Sequence, residues 1–289
     1  MNEFTLSDGS RIPQIGFGTY QIQSPEPVLR AIEAGYRFFD TASLYETERT
    51  LGKALRESGL PREEFIIETK LWIDEMDNPA GALGRSLKRL DTDYADIFMI
   101  HWPRETGEAD ENWKERDLET YRGMEKLVEA GKVRRLGLSN FLPHHLKNIL
   151  DNCSIRPVVN QLEVHPGYTQ EAALRFCRDN GVQVMAWSPF GRGQSPDILG
   201  NRMVAYLAEK YGKSTRQITL RYLIEKGIMP IPKATSEEHI RANLDVFDFN
   251  LTEDEVSMLT GMPQTTWLGE HPDFAIPTAR SSAENRTDS

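Results

Sequence analysis

Four side chains that could carry out acid–base chemistry follow three apolar runs of the sequence. Asp40 and Tyr45 follow the first run, Lys70 ends the second, and His101 ends the third. A neighbouring ammonium makes a phenol a better proton donor, a carboxylate keeps that ammonium charged, and an imidazole can donate a hydrogen bond to an oxygen. Together these residue types predict protonation of an oxygen that gains negative charge during a reaction.

The three apolar runs have the length and composition of buried parallel strands, near residues 36–40, 65–69 and 94–100. In a barrel, the carboxyl ends of parallel strands meet at one mouth, where barrel active sites lie. Taken singly, an ion pair, a rim tyrosine or a buried histidine is usually structural. The joint placement of all four residues nevertheless predicts an active site.

Composition excludes several classes of protein. The 289 residues carry a net charge of −10, which disfavours binding to nucleic acid or to an anionic membrane. A long apolar segment and a secretory leader pattern are both missing, so we expect a cytoplasmic protein. The cysteines, Cys153 and Cys177, have no metal-ligand spacing and suggest no disulfide framework, so no metal site is predicted. We expect a monomer.

Strand-like and helix-like segments alternate along the chain, as in repeated βα units. The candidate strands lie near residues 14–18, 36–40, 65–69, 94–100, 134–138, 157–161, 182–187 and 228–231. Eight such units predict closure into a (β/α)8 TIM barrel, with residues 1–280 as one domain and 281–289 as a disordered tail. An open doubly wound sheet is the alternative, but its Gly-x-Gly-x-x-Gly turn is absent.

Three segments do not fit the βα repeat. Extended pieces near Phe4 and Ile12 flank the turn residues 7–10, which predicts an N-terminal β-hairpin able to plug the closed end of the barrel. The irregular stretches 103–115 and 262–280 have the length of functional covers, so we expect them to be substrate loops.

Several strings resemble successive motifs of the aldo-keto reductase family, in the order of that family. They are Gly35-Tyr36-Arg37-Phe38-Phe39-Asp40-Thr41-Ala42 through Tyr45, Thr69-Lys70-Leu71-Trp72, Leu136-Gly137-Leu138-Ser139-Asn140-Phe141, Asn160-Gln161 and Ile231-Pro232-Lys233. Trp187 before Ser188-Pro189 and the string 268–273 are similar to bacterial members akin to diketogluconate reductases. The resemblance implies reduction of an aldehyde or ketone by NADPH, with Tyr45 as the proton donor and Asp40, Lys70 and His101 as its partners.

The expected cofactor site follows the strand ends around the barrel. Trp187 offers a flat face for stacking on nicotinamide, and Ser139, Asn140 and Gln161 offer polar groups for its carboxamide. Ser139 and Asn140 could instead only cap the next helix. The remaining expected cofactor contacts are Gly18, Thr19, Asp40, Ser188, Phe190, Gly191, Lys233, Ala234, Thr235, His239 and Asn243.

The site expected for the adenosine phosphate departs from the family pattern. Ala234 stands where serine is usual and His239 where arginine is usual. Arginine holds phosphate through two parallel hydrogen bonds and a permanent charge, which histidine cannot match. We therefore expect NADPH to bind through Lys233 and Thr235. We also expect discrimination against NADH to be reduced, so that NADH is accepted too.

Aromatic side chains near the mouth predict a pocket for a small carbonyl substrate, formed with His101 by Tyr20, Trp72, Trp102 and Trp267. Two other functions remain open on the residues alone. Lys70 could form an imine with a carbonyl substrate, as in barrel lyases. The barrel could also bind a nicotinamide nucleotide without turnover and act as a redox sensor.

Overall fold

A ring of parallel strands forms the centre of the molecule. The structure is a computed structural model that describes residues 2–104, 112–191, 196–264 and 271–273. In these residues the strands are β1 (Glu3–Thr5), β2 (Arg11–Pro13), β3 (Phe17–Gly18), β4 (Phe38–Asp40), β5 (Ile66–Leu71), β6 (Ala95–Ile100), β7 (Val133–Ser139), β8 (Val159–Glu163), β9 (Gln183–Trp187) and β10 (Met229–Pro230). Strands β3 to β10 lie in chain order, and each is parallel to its neighbours.

Helices surround the ring and cover its outer face. In the same part of the chain they are α1 (Glu26–Ala34), α2 (Glu48–Glu57), α3 (Pro79–Leu90), α4 (Trp113–Glu129), α5 (Pro143–Asn152), α6 (Glu171–Asp179), α7 (Pro196–Leu199), α8 (Arg202–Tyr211), α9 (Thr215–Glu225), α10 (Glu237–Leu244) and α11 (Glu253–Thr260). None of the helices described is both long and apolar enough to cross a bilayer.

The ring closes between its first and last strands. The backbone N–H groups of Gly16 and Gly18 donate to the carbonyl oxygens of Pro230 and Pro232, at 3.0 and 3.1 Å. Both prolines lack an N–H, so the last strand can only accept hydrogen bonds on this side. The predicted (β/α)8 barrel is therefore confirmed, and an open sheet is wrong.

Side chains alternate between the lumen and the outer layer, as the strand period requires. Phe38, Ile97 and Met99 belong to an inner apolar cluster, whereas Phe39 and Phe98 pack outward against the helices. Because the inner cluster is apolar, the lumen is a packed core below the mouth.

The predicted N-terminal hairpin is present as β1 and β2, which pair antiparallel. Leu6 and Ile12 of this segment are buried in the inner cluster. The hairpin thus covers the end of the barrel opposite the mouth, as predicted.

The connections differ from the sequence-based expectation in two places. The predicted loop 103–115 ends earlier, because α4 begins at Trp113, and residues 105–111 lie outside the described part. Ser139 and Asn140 do not cap α5, whose N-cap is Leu142. Of the second loop, 262–264 and 271–273 are described, and the predicted tail 281–289 is not.

Candidate active site

Lys70 lies at the centre of the polar cluster at the barrel mouth. Strand β5 directs its side chain into the lumen, where it is fully buried. Its ammonium donates to a carboxylate oxygen of Asp40 on β4 and, at 3.0 Å, to the carbonyl oxygen of Thr41. It also lies 3.0 Å from Oε1 of Glu68. Burial alone lowers the pKa of Lys70, but Asp40, Tyr45 and Glu68 outweigh it and raise that pKa above the ordinary value.

Tyr45 meets Lys70 from the side of the mouth. It ends a 3₁₀ turn over Ser43–Tyr45, directly after β4. The Lys70 ammonium lies 5.1 Å from the centre of the Tyr45 ring. Burial raises the pKa of Tyr45 above its ordinary value; the charge of Lys70 opposes that rise, and the charges of Asp40 and Glu68 add to it. A phenol ring from the turn after β4 and an ammonium from β5 therefore lie in contact.

His101 follows β6 and faces the same cluster. Its ring packs edge-on against Tyr45 at 5.5 Å and against Trp72 at 5.0 Å. Burial and the charge of Lys70 hold the pKa of His101 well below its usual range. The neutral ring has one N–H, and its Nδ1 has no hydrogen-bond partner among the described residues. Trp72 Nε1 is likewise buried without a partner, so polar groups here are left for a bound molecule.

Glu68 belongs to this cluster, and the sequence analysis gave it no role. It lies two residues before Lys70, is fully buried, and accepts a hydrogen bond of 3.1 Å from Gln161 Nε2. Burial, together with Asp40, raises the pKa of Glu68 well above its usual range. Its position could have been found from alternation, because Glu68 and Lys70 must face the same side of β5.

The polar residues expected near nicotinamide lie across the lumen from Lys70. Gln161 donates at 2.7 Å to Asp40, which joins β8 to β4. Asn140 donates at 3.0 Å to the carbonyl of His101 and accepts at 2.9 Å from Trp187 Nε1. Asn140 adopts a left-handed backbone (φ 63°), which turns the chain out of β7. The structure brings these residues to the same mouth.

The remaining expected cofactor residues follow β9 and β10 on the opposite side of the ring. Ser188 and Gly191 have positive φ and close a tight turn, in which Gly191 N–H donates to Ser188 at 2.8 Å. Phe190, Ala234 and Asn243 are buried, and Gly18 and Thr19 are buried at the end of β3.

Lys233, Thr235 and His239 are exposed around the start of α10. Ser236 caps this helix by accepting from His239 N–H at 3.3 Å. Two carboxylates, Glu237 and Glu238, stand in its first turn, where they oppose an anion.

The expected substrate walls divide into exposed and buried groups. Tyr20 is 46% exposed and packs edge-on against Tyr45 at 5.0 Å. Trp72 and Trp102 are buried and contact each other. Trp267 lies outside the described residues. At the mouth, Tyr20 and Trp72 thus stand on either side of Tyr45 and His101.

A second cluster, not expected from sequence, joins α5 to the C-terminal segment. His144 Nε2 lies 2.9 Å from Asp273 Oδ1, and the buried His145 Nε2 lies 3.5 Å from it. This arrangement does not suit a metal ion. Nδ1 of His145 accepts from the backbone N–H of Leu142, so the neutral ring carries its proton on Nε2, which then has no lone pair for a cation. The cluster anchors residues 271–273 beside the mouth.

Comparisons with known proteins cover nearly the whole chain. A model of the aldo/keto reductase family matches residues 14–262. The 9,11-endoperoxide prostaglandin H2 reductase of Trypanosoma cruzi is 39% identical over 282 residues, which cover 96% of both chains. The glyoxal reductase of Bacillus subtilis is 36% identical and covers 93% of this chain and 95% of its own. The crystal structure of a Bombyx mori aldo-keto reductase in complex with NADP is 38% identical, with a TM-score of 0.85 over 93% of this chain and 95% of that chain.

Proposed function

The chain belongs to the aldo/keto reductase family, and we propose that it reduces small aldehydes and ketones to alcohols with NADPH. The observation that carries this proposal is the interaction of Tyr45 with Lys70 beside the neutral His101. It joins a proton donor, a cation and a hydrogen-bond donor around a space where a carbonyl oxygen can lie.

Reduction of a carbonyl group adds a hydride to carbon and a proton to oxygen. The dihydronicotinamide of NADPH supplies the hydride when it is bound. In our proposal Tyr45 gives its hydroxyl proton to the carbonyl oxygen, and His101 donates a ring N–H to the same oxygen. These two donors stabilise the negative charge that develops there. Tyr45 is left as a phenolate beside the Lys70 ammonium, which stabilises it.

Asp40 positions Lys70 for this role. Because the ammonium donates to Asp40 and to the Thr41 carbonyl, its direction is fixed in the lumen. The same contacts disfavour the alternative of a barrel lyase. An imine requires a neutral amine, and the neighbours of Lys70 raise its pKa. The ion pair therefore supports the reductase function over the lyase.

The residues present fit a nicotinamide nucleotide. Trp187 is half-buried, and its indole N–H is fixed by Asn140, so one ring face can be held in place for stacking. We propose that Ser139, Asn140 and Gln161 bind the carboxamide. Lys233 and Thr235, exposed before the N-terminus of α10, supply a cation and a hydroxyl for the adenosine phosphate.

Two observations support small, reactive carbonyl compounds as substrates. Tyr20 packs edge-on against Tyr45 and Trp72 packs edge-on against His101, so aromatic rings flank the two proposed donors closely, which favours a compact substrate. The Bacillus subtilis relative is a glyoxal reductase. We therefore propose glyoxal-like dicarbonyls and simple aldehydes as the first compounds to test.

The test is the loss of NADPH absorbance with a panel of dicarbonyls, aromatic aldehydes and ketones. We expect turnover with at least one aldehyde and formation of the matching alcohol. Binding of NADPH without turnover across the panel would support the redox sensor instead. A covalent Lys70 adduct trapped by borohydride with a carbonyl substrate would support the lyase.

A further inference from the structure

Two carboxyl groups contact the same buried cation, the ammonium of Lys70. Asp40 and Glu68 both contact the Lys70 ammonium, and Gln161 Nε2 donates to both of them, at 2.7 and 3.1 Å. Asp40 and Glu68 are also register partners on the adjacent strands β4 and β5. Asp40 is 5% exposed and Glu68 is fully buried, so water does little to screen their charges.

The charges around Glu68 can be counted strand by strand. Asp40 faces it from β4, Lys70 from β5 and Gln161 from β8, with Tyr45 beyond Lys70; Ile97, its partner on β6, is apolar. If both carboxyl groups were ionised, the buried cluster would carry a net charge of −1. Carboxyl groups this close rarely both ionise, because their repulsion raises the affinity of one of them for a proton.

The second oxygen of Glu68 indicates where that proton lies. Oε2 is buried and has no hydrogen-bond partner among the described residues. A buried ionised oxygen without a hydrogen-bond donor is costly. The neutral acid costs less, because it carries no charge that must be stabilised. The surroundings of Oε2 therefore favour the neutral form of Glu68.

We propose that Glu68 is a neutral acid in the folded protein and acts as a positioning residue for Lys70. This inference rests on the proposed reductase function. As a neutral acid, Glu68 holds the ammonium by a hydrogen bond and does not cancel its charge. An ionised Glu68 would offset the charge of Lys70 and make Tyr45 a weaker acid, since its negative charge raises the pKa of Tyr45.

The test compares Glu68→Leu with Glu68→Gln. Leucine removes the hydrogen bonds that Glu68 makes, and we expect kcat to fall about tenfold or more while KM for NADPH stays the same. Glutamine keeps an oxygen for Lys70 and an N–H for Asp40, so it should restore most of the lost kcat. It should also remove any decline of kcat at alkaline pH that is due to ionisation of Glu68. If glutamine is as damaging as leucine, the negative charge is needed and the proposal is wrong.

Met99→Leu is the matched control, because Met99 is the register partner of Lys70 on β6 and lies in the lumen without a polar contact. This nearly volume-conserving change should leave kcat within about threefold. If it lowers kcat as much as Glu68→Leu does, the effect at Glu68 is one of packing, and the proposal fails.

A second measurement does not depend on turnover or on the leucine variant folding. The infrared spectrum of the whole chain near neutral pH should show the C=O stretch of a protonated carboxyl group, and Glu68→Gln should remove it. Absence of that band in the unsubstituted chain overturns the proposed protonation of Glu68. If the band is present and the chain reduces no carbonyl compound, the proposed function has failed and the protonation has not.

Discussion

The two sides of the barrel mouth are built in different ways. On the side of β4 to β6, Asp40, Lys70 and His101 are buried and contact one another or shared neighbours. On the side of β10, Lys233 and His239 are exposed around the start of α10. The side proposed for acid–base chemistry is therefore held by its own contacts, whereas the side proposed for the phosphate consists of exposed side chains.

This contrast indicates which properties each side controls. Buried, hydrogen-bonded groups in a site of low dielectric set proton transfer, and small changes there have large effects. Exposed charges around the start of α10 would, under the proposed function, set affinity and the choice between nucleotides, and each would contribute less because water competes. Substitutions on the two sides should therefore differ in both the kind and the size of their effects.

The sharpest test on the buried side is Tyr45→Phe. Phenylalanine keeps the ring and its contacts with Tyr20 and His101 but removes the acidic proton. We expect kcat to fall about 100-fold or more, with little change in the Kd for NADPH. Steady-state kinetics and fluorescence titration of NADPH measure the two quantities. Nearly full activity would show that another group supplies the proton.

Lys70→Met should come close to the effect of Tyr45→Phe. It removes the cation that stabilises the Tyr45 phenolate and leaves Asp40 buried without its partner. We expect kcat to fall about 100-fold, and thermal unfolding should also shift downward, which Tyr45→Phe should not cause. Melting curves of both variants distinguish the two cases. An unchanged melting temperature for Lys70→Met would mean that the ion pair contributes nothing to stability.

On the exposed side, His239→Arg should sharpen the choice of nucleotide. A guanidinium in the first turn of α10 adds a permanent charge and two hydrogen bonds for the ribose 2′-phosphate. It would also counter the carboxylates of Glu237 and Glu238, which repel a phosphate there. We expect the ratio of kcat/KM for NADPH to that for NADH to rise about tenfold. His239→Gln is the control without charge. If the unsubstituted chain already prefers NADPH by several thousandfold, the weakened phosphate site is refuted.

The smallest expected effect is on stability and concerns Glu68→Gln. Because the folded pKa of Glu68 is raised, its contribution to stability is complete below the ordinary pKa of 4.5 and is lost as pH rises towards the folded value. The free energy of unfolding of Glu68→Gln should therefore rise relative to that of the unsubstituted chain as pH rises, by up to about 1.4 kcal/mol per pH unit. Urea unfolding between acid and neutral pH measures this difference. A constant difference across that range would contradict the raised pKa.

The residues on the side of β4 to β6 could be predicted from the sequence, because the ends of parallel strands determine where the side chains at those ends lie. Asp40, Lys70 and His101 end apolar runs, and the register of parallel strands brings such ends together. Lys70 and Asp40 do contact each other, and the eight strands were predicted within a few residues. Their roles in the reaction stay predictions.

Other features depend on contacts that spacing does not encode. The positions of the strand ends do not reveal a buried carboxyl group such as Glu68, whose importance comes from neighbours on β4 and β8. The contact of His144 with Asp273 joins residues 129 positions apart. The capping alternative for Ser139 was wrong because α5 has Leu142 as its N-cap, and the Ser139 hydroxyl donates instead to the carbonyl oxygen of Gln161 on β8.

The seam between the first and last barrel strands has a further consequence. Prolines at 230 and 232 have no amide hydrogen, and the N–H of Ile231 donates to Ala186 on β9. The only amide protons that cross the seam in the described structure are thus those of Gly16 and Gly18. Their exchange with deuterium would report separation of the two strands without interference from the rest of the ring. The chain therefore carries two built-in reporters of barrel opening, which can be followed with and without nucleotide.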